Sequence, residues 1–130
     1  MTDVHLLLVA SFITWASLML AAVLRSRSWT PEGQKLAFGN REAMPEPSAL
    51  AGRAQRASLN NLENLVLFVA AFVAARLSGA APDAVLPGAH LFAWGRLAYV
   101  AVYIAGVPYL RTVVWLASVA GTFWVALAAL

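Results

Sequence analysis

Residues 53–64 read RAQRASLNNLEN and run straight into the apolar LVLFVAAFVAA of 65–75. Two arginines, three asparagines and a glutamate are crowded into that segment. Guanidinium groups clamp carboxylates, and amides and a carboxylate hold the remaining donors and acceptors of a small charged molecule. On a wheel of 3.6 residues per turn, Asn60 lies about 40° from Arg56, Glu63 about −20°, Arg53 about 60° and Asn64 about 80°. These side chains form one polar stripe, and Asn61, near 140°, falls off it. Lipid is a poor neighbour for such a stripe, since an acid or base at the bilayer centre costs a few kcal/mol even on the lenient insertion scale. It must face protein or a wet cavity.

A second polar set lies further along the chain. Arg96 and Tyr103 are seven positions apart and nearly eclipsed on a helix, with Tyr99 about 60° to one side. Arg96 is the natural counter-charge for Glu63, and such a pair admits two readings. It fixes helix register, with Asn60 and Asn64 as interhelical glue, or it belongs to a binding site. Arg111 opens the last apolar segment, where a helix N-terminus already presents positive potential and a cation is mildly disfavoured. Alone it reads as a snorkelling anchor; beside Arg53 and Arg56 it reads as an anion site built from arginines and a helix end.

The elements that must position these groups are membrane helices. The chain has 130 residues, 62% hydrophobic and 12% charged, about half the usual charged fraction of a soluble domain. Residues 4–24 and 112–130 contain no Asp, Glu, Lys or Arg, and 86–110 contain only Arg96. The least obvious span reaches crossing length, roughly 20 residues, only if the asparagines and Glu63 lie inside a helix. The expectation is an all-α membrane protein, a single domain over 1–130. Its helices should lie near 4–24, 48–78, 86–108 and 111–130, with a loop at 25–47 and Ser48 as an N-cap. Short connections favour an antiparallel up-down-up-down bundle. "TPEGQ" and "MPEPS" read as turns and breakers, and Ala117 and Gly121 would let a neighbouring helix approach closely.

Six of the nine basic residues fall between the first two spans. The positive-inside rule therefore places the 25–57 loop in the cytoplasm and both termini outside. The net charge of +3 reads as membrane topology rather than nucleic-acid binding. There are no cysteines, hence no thiol nucleophile or disulfide. His5 and His90 lie toward the external side, too far apart in sequence to argue a metal site. Trp15, Trp94, Trp115 and Trp124 read as core or lipid contacts and Trp29 as an interface anchor.

The stretch R-A-S-L-N-N-L-E-N at 56–64, followed by an apolar helix and GRLAYVAVY with Arg111 beyond it, resembles the MAPEG family, the membrane-associated proteins in eicosanoid and glutathione metabolism. The likeness extends over essentially the whole chain and suggests a bacterial, inner-membrane member. It implies a left-handed four-helix bundle assembled as a homotrimer, with glutathione sites between neighbouring subunits, open to the cytoplasm. By position, Arg56, Asn60 and Glu63 would bind glutathione, joined by Arg96 and Tyr103, with Tyr99 and Arg53 beside them. Arg25 or Arg27, at the end of the first helix, would contribute as well. Arg111 would be catalytic, holding the cysteinyl sulfur as thiolate. The second substrate would be a hydrophobic electrophile or a lipid hydroperoxide, drawn from the membrane lipids. Ser58 stands where some animal members carry histidine, and the connection from Tyr103 to Arg111 varies in length among members.

Two other functions compete. A small proton-coupled exporter also has four helices and an intramembrane carboxylate, but Glu63, with arginine and asparagine neighbours and near one interface, is a poor proton carrier. A non-catalytic binding or scaffold protein would keep the assembly without the chemistry.

Overall fold

The computed structural model describes residues 1–130 as five helices and no strands: α1 Asp3–Ser26, α2 Pro31–Phe38, α3 Ala49–Leu77, α4 Pro82–Ala105 and α5 Pro108–Leu127. Four of them are long and apolar enough to cross a membrane, and they alternate in direction as the short connections require.

Local chemistry sets the ends. Thr2 caps α1, its Oγ1 accepting from the backbone N–H of His5 while His5 Nδ1 accepts from the backbone N–H of Thr2. Ser48 Oγ accepts from the N–H of Ala51 and caps α3. The TPEGQ segment, expected to be a turn, instead starts the short helix α2. Thr30 is its N-cap and Pro31 occupies the first turn, where a missing N–H costs nothing. Gly33 seats α2 against the end of α1, since a Cβ there would fall 2.0 Å from the carbonyl oxygen of Arg27. The last two helices begin earlier than expected, at Pro82 and Pro108 rather than 86 and 111, because proline is pre-organised for a first turn as well as for a break. α4 ends at Ala105 rather than 108, where Gly106, at φ 82°, makes the left-handed turn into α5.

In lipid there is little hydrophobic drive between helices, so close packing and interhelical hydrogen bonds hold the bundle. Gly88 and Gly121 let α4 and α5 touch: a Cβ on either would lie 2.7 Å from the other's carbonyl oxygen. Gly121 makes the close approach its spacing suggested. The apolar core fills the half of the bundle that holds the α3–α4 turn, with Phe68 and Phe92 stacked at 4.0 Å between Leu6, Phe72 and Val125. At its edge Asp3 pairs with Arg76 over 3.2 Å, the one ion pair in the structure. The opposite half, nearer the arginine-rich loop, is filled by small residues of α3 (Ala51, Ala54, Ala57) and by a polar cluster.

Candidate functional site

α3 buries Ala54, Ala57, Ser58, Asn61, Phe68, Phe72 and Ala75, a seam repeating every three or four residues. Asn61 therefore points inward. Arg96, fully buried on α4, meets it there, donating from Nε to Asn61 Oδ1 at 2.7 Å, from one terminal nitrogen to Asn60 Oδ1 at 2.8 Å and from the other to Ser118 Oγ at 3.3 Å. Its guanidinium also lies 4.3 Å from the centre of the Tyr99 ring. The expected Glu63–Arg96 bridge does not form. Glu63 is two positions from Asn61, about 200° round the helix, and is exposed. None of the arginine or asparagine neighbours anticipated for it holds its side chain within the chain. Asn61 is the residue that the charge stripe missed. The signal was the apolar seam itself, which runs through position 61.

A crevice of about 240 Å³ opens beside this network, lined by Asn60, Tyr99, Tyr103, Arg111, Thr112 and Trp115. Arg111 is the fourth residue of α5, its N–H bonded back to the carbonyl of Val107, and its guanidinium sits 4.7 Å from the centre of the Tyr103 ring. Tyr103 in turn packs edge-on against Tyr99 at 5.4 Å. Two cations thus rest on two contacting aromatic rings, one buried and hydrogen-bonded, one beside the opening. Asn60 Oδ1 is already occupied by Arg96 and by Asn64 Nδ2 at 3.3 Å, so its amide donors are the groups left free in the crevice it lines. With Arg111 a pure donor and the hydroxyls of Tyr99 and Tyr103 able to donate, the crevice can offer an anion several hydrogen bonds.

Four of the expected residues, Asn60, Tyr99, Tyr103 and Arg111, share this crevice, and Arg96 fixes Asn60 from behind. The others lie elsewhere. Arg53 donates from Nε to the carbonyl of Ile104 at 2.9 Å, tying α3 to the end of α4. Arg56 and Glu63 stand exposed on α3. Arg25 lines a separate crevice of about 220 Å³ between α1, the loop and α3, with Arg41, Gln55 and Ser58, and its guanidinium is bonded to the carbonyl of Pro45. Arg27, in left-handed backbone at φ 53°, caps α1 and is exposed. Trp115, expected as a core or lipid contact, lines the first crevice, and its indole N–H is buried without a partner.

Four long apolar helices around a buried polar cluster, with an anion-suited crevice at one end, define an integral membrane helix bundle. The chain belongs to the MAPEG family, whose family model matches residues 4–130. Its fold is that family's four-helix membrane bundle, and membership is consistent with a glutathione-related membrane protein. No curated protein and no solved structure matches the chain.

Proposed function

We propose that this chain is a glutathione-binding membrane enzyme that converts the thiol to thiolate for attack on a lipophilic electrophile or hydroperoxide. The observation that carries this reading is the placement of Arg111 on the Tyr103 ring beside Asn60, in a crevice that presents donors to its occupant. A free thiol is only a few per cent ionised at neutral pH. About 2.7 kcal/mol of preferential thiolate stabilisation makes the anion the majority form, within reach of one guanidinium at a helix N-terminus shielded from water. Arg111 holds the sulfur while the thiol proton leaves to solvent. The sulfur pair then forms a C–S bond with the electrophile as its leaving group departs or its π pair shifts to an atom that takes a proton from water. With a hydroperoxide it forms an S–O bond to the terminal oxygen as the O–O bond breaks and the alcohol leaves with a proton from water, giving the sulfenic acid. Ionisation contributes only a few-fold of the rate, because nucleophilicity falls as pKa falls. Holding the thiolate beside a partner dissolved in the bilayer supplies the rest.

The binding residues in this reading are Asn60, Tyr99 and Tyr103, with Arg56 and Glu63 from the exposed face of α3, Arg25 from α1, and Arg53 and Arg96 as positioning residues. Glu63 lies on the exposed face of a membrane-spanning helix with no ion-pair partner in its own chain, an arrangement too costly to leave in lipid, and Arg56 stands exposed two turns before it on the same side. Arg25 lies in the second crevice, lined by other residues of α3. A homotrimer in which the Arg25 crevice of one copy meets the Arg111 crevice of the next, with α3 stripes between them, satisfies both observations. The arginine-rich end would face the cytoplasm, where glutathione enters from water and its partner from lipid.

The test is ultraviolet difference absorbance on adding glutathione to the detergent-purified protein at neutral pH, beside Arg111→Ala. We expect a thiolate signal in the wild type that the variant lacks while it still binds glutathione. Binding without thiolate would reduce the protein to a non-catalytic binder, and no binding would overturn the glutathione reading.

A further inference from the structure

His90 is an ionisable side chain inside a membrane-spanning helix, and nothing in the glutathione site uses it. It lies eight residues below Pro82, about 12 Å along α4. The 24 residues of that helix span ~36 Å against a hydrocarbon layer of ~30 Å. His90 therefore sits roughly 9 Å inside the hydrocarbon, in the half of the membrane remote from Arg111. An intramembrane ionisable residue demands a reason and a partner.

Its surroundings supply one partner and leave room for another. Trp94, one turn on, donates from its indole N–H to His90 Nδ1 at 3.2 Å. Indole nitrogen is a donor only, so Nδ1 carries no proton, the ring is neutral, and Nε2 carries the hydrogen. That Nε2–H has no bond within the chain. His90 lines an open pocket of about 440 Å³ on the seam between α4 and α5, with Pro87, Leu91, Trp94, Gly95 and Trp124. Trp124 is itself fixed by an indole bond to the carbonyl of Ala84 at 3.0 Å, so both indoles bounding the pocket are anchored. The pocket thus offers two held aromatic faces and a single neutral donor, at a depth that the ester carbonyls of phospholipids, confined to the interface, do not reach.

We propose that this pocket binds a membrane-dissolved quinone, its flat ring against the indoles of Trp94 and Trp124 and one ring carbonyl accepting from His90 Nε2–H. A phosphate or carboxylate headgroup does not suit a neutral donor at this depth, and a plain acyl chain has no acceptor for it. A ring carbonyl on a hydrocarbon tail satisfies both demands, and stacking on fixed indoles adds to the hydrogen bond.

The test uses the full chain in nanodiscs of saturated phosphatidylcholine, titrated with a benzoquinone bearing a single isoprene unit. Tryptophan fluorescence reports binding, and the infrared carbonyl band of the quinone reports its hydrogen bond. Quenching should saturate and a fraction of the quinone band should move to lower frequency. In His90→Phe the shifted band should vanish and binding weaken about fivefold, the ordinary worth of one neutral hydrogen bond. In His90→Gln, whose amide offers a donor at the same reach, the shifted band should persist, and this variant keeps the test valid if the Phe variant fails to fold. Quenching that rises linearly, as for simple partition, a carbonyl band unchanged from protein-free nanodiscs, or a shift in the phospholipid ester band instead would overturn the proposal.

Discussion

Arg96 Nε lies 2.7 Å from Asn61 Oδ1, and both residues are fully buried where α3 crosses α4. The guanidinium has no carboxylate partner, since the single ion pair is Asp3–Arg76 at the other end of the bundle. Amide, hydroxyl and aromatic groups alone hold this charge. The Nδ2 of Asn61 is meanwhile buried with no acceptor, so one half of that amide is satisfied and the other is not.

The network should therefore respond asymmetrically to substitution at 61. Asn61→Leu removes an acceptor from a buried charge and should cost about 2 kcal/mol, within the usual range for hydrogen bonds to charged groups. Asn61→Asp replaces the orphaned donor with a second acceptor and completes an ion pair. It should be at least as stable as the wild type. Thermal unfolding of the purified chain in detergent distinguishes the two, and a Leu variant as stable as the Asp variant would remove Arg96–Asn61 as a structural bond.

Tyr103 presents a second asymmetry, because its ring and its hydroxyl do different things. The ring underlies Arg111 at 4.7 Å, and a cation over an aromatic face contributes about 0.5–2 kcal/mol. Tyr103→Phe keeps that face, whereas Tyr103→Leu abandons it. Thiolate formation on Arg111 should survive in the Phe variant and fall at least several-fold in the Leu variant. Equal loss in both would assign the effect to the hydroxyl.

Much of this arrangement is legible in the sequence. Stretches free or nearly free of charge mark three of the four spans, Ser48 marks the start of α3, and the residue types at Asn60, Tyr99, Tyr103 and Arg111 indicate one polar end. Three features are not. Proline reads as a breaker or turn residue at 31, where it in fact occupies the first turn of a helix, as it also does at 82 and 108; the two roles share a sequence signature and differ only in the conformation of the next few residues. The charges of α3 suggest a rotation that makes Glu63 the partner of Arg96. Packing of the small and apolar seam through Ala54, Ala57, Phe68 and Phe72 sets it instead and brings Asn61 inward. The division between the Arg25 and Arg111 crevices depends on which side of α3 each neighbour packs, a tertiary fact with no local trace.

The close contact of α4 and α5 gives a prediction independent of any ligand. A methyl group at Gly121 would lie 2.7 Å from the carbonyl oxygen of Gly88 and from the nitrogen of Phe92. Both are backbone atoms, so no side chain can swing aside. Gly121→Ala should lower stability by about 1–3 kcal/mol, the usual cost of overpacking, despite alanine's better helix propensity. Gly79→Ala meets no atom within 4 Å but carries φ 82°, so its cost is backbone strain alone, about 1 kcal/mol. Unfolding in detergent should rank Gly121→Ala as the more damaging.

Sharing of the site between copies can be read without a structure of the assembly. Arg25 and Arg111 lie in separate crevices of one chain, so in the proposed homotrimer a complete site draws them from different copies. Arg111→Ala chains made alone should bind glutathione without the wild-type thiolate signal, and Arg25→Ala chains made alone should give little of that signal because they bind glutathione weakly. Co-expressed in equal amounts and randomly mixed, they should restore about a quarter of that signal, because half of all copies supply each intact arginine. Were each chain to carry a whole site by itself, mixing would restore nothing. Thiolate absorbance of the unselected mixture decides between them, and in mixed trimers selected with two different affinity tags the restored signal should rise to about a third, one complete site in three.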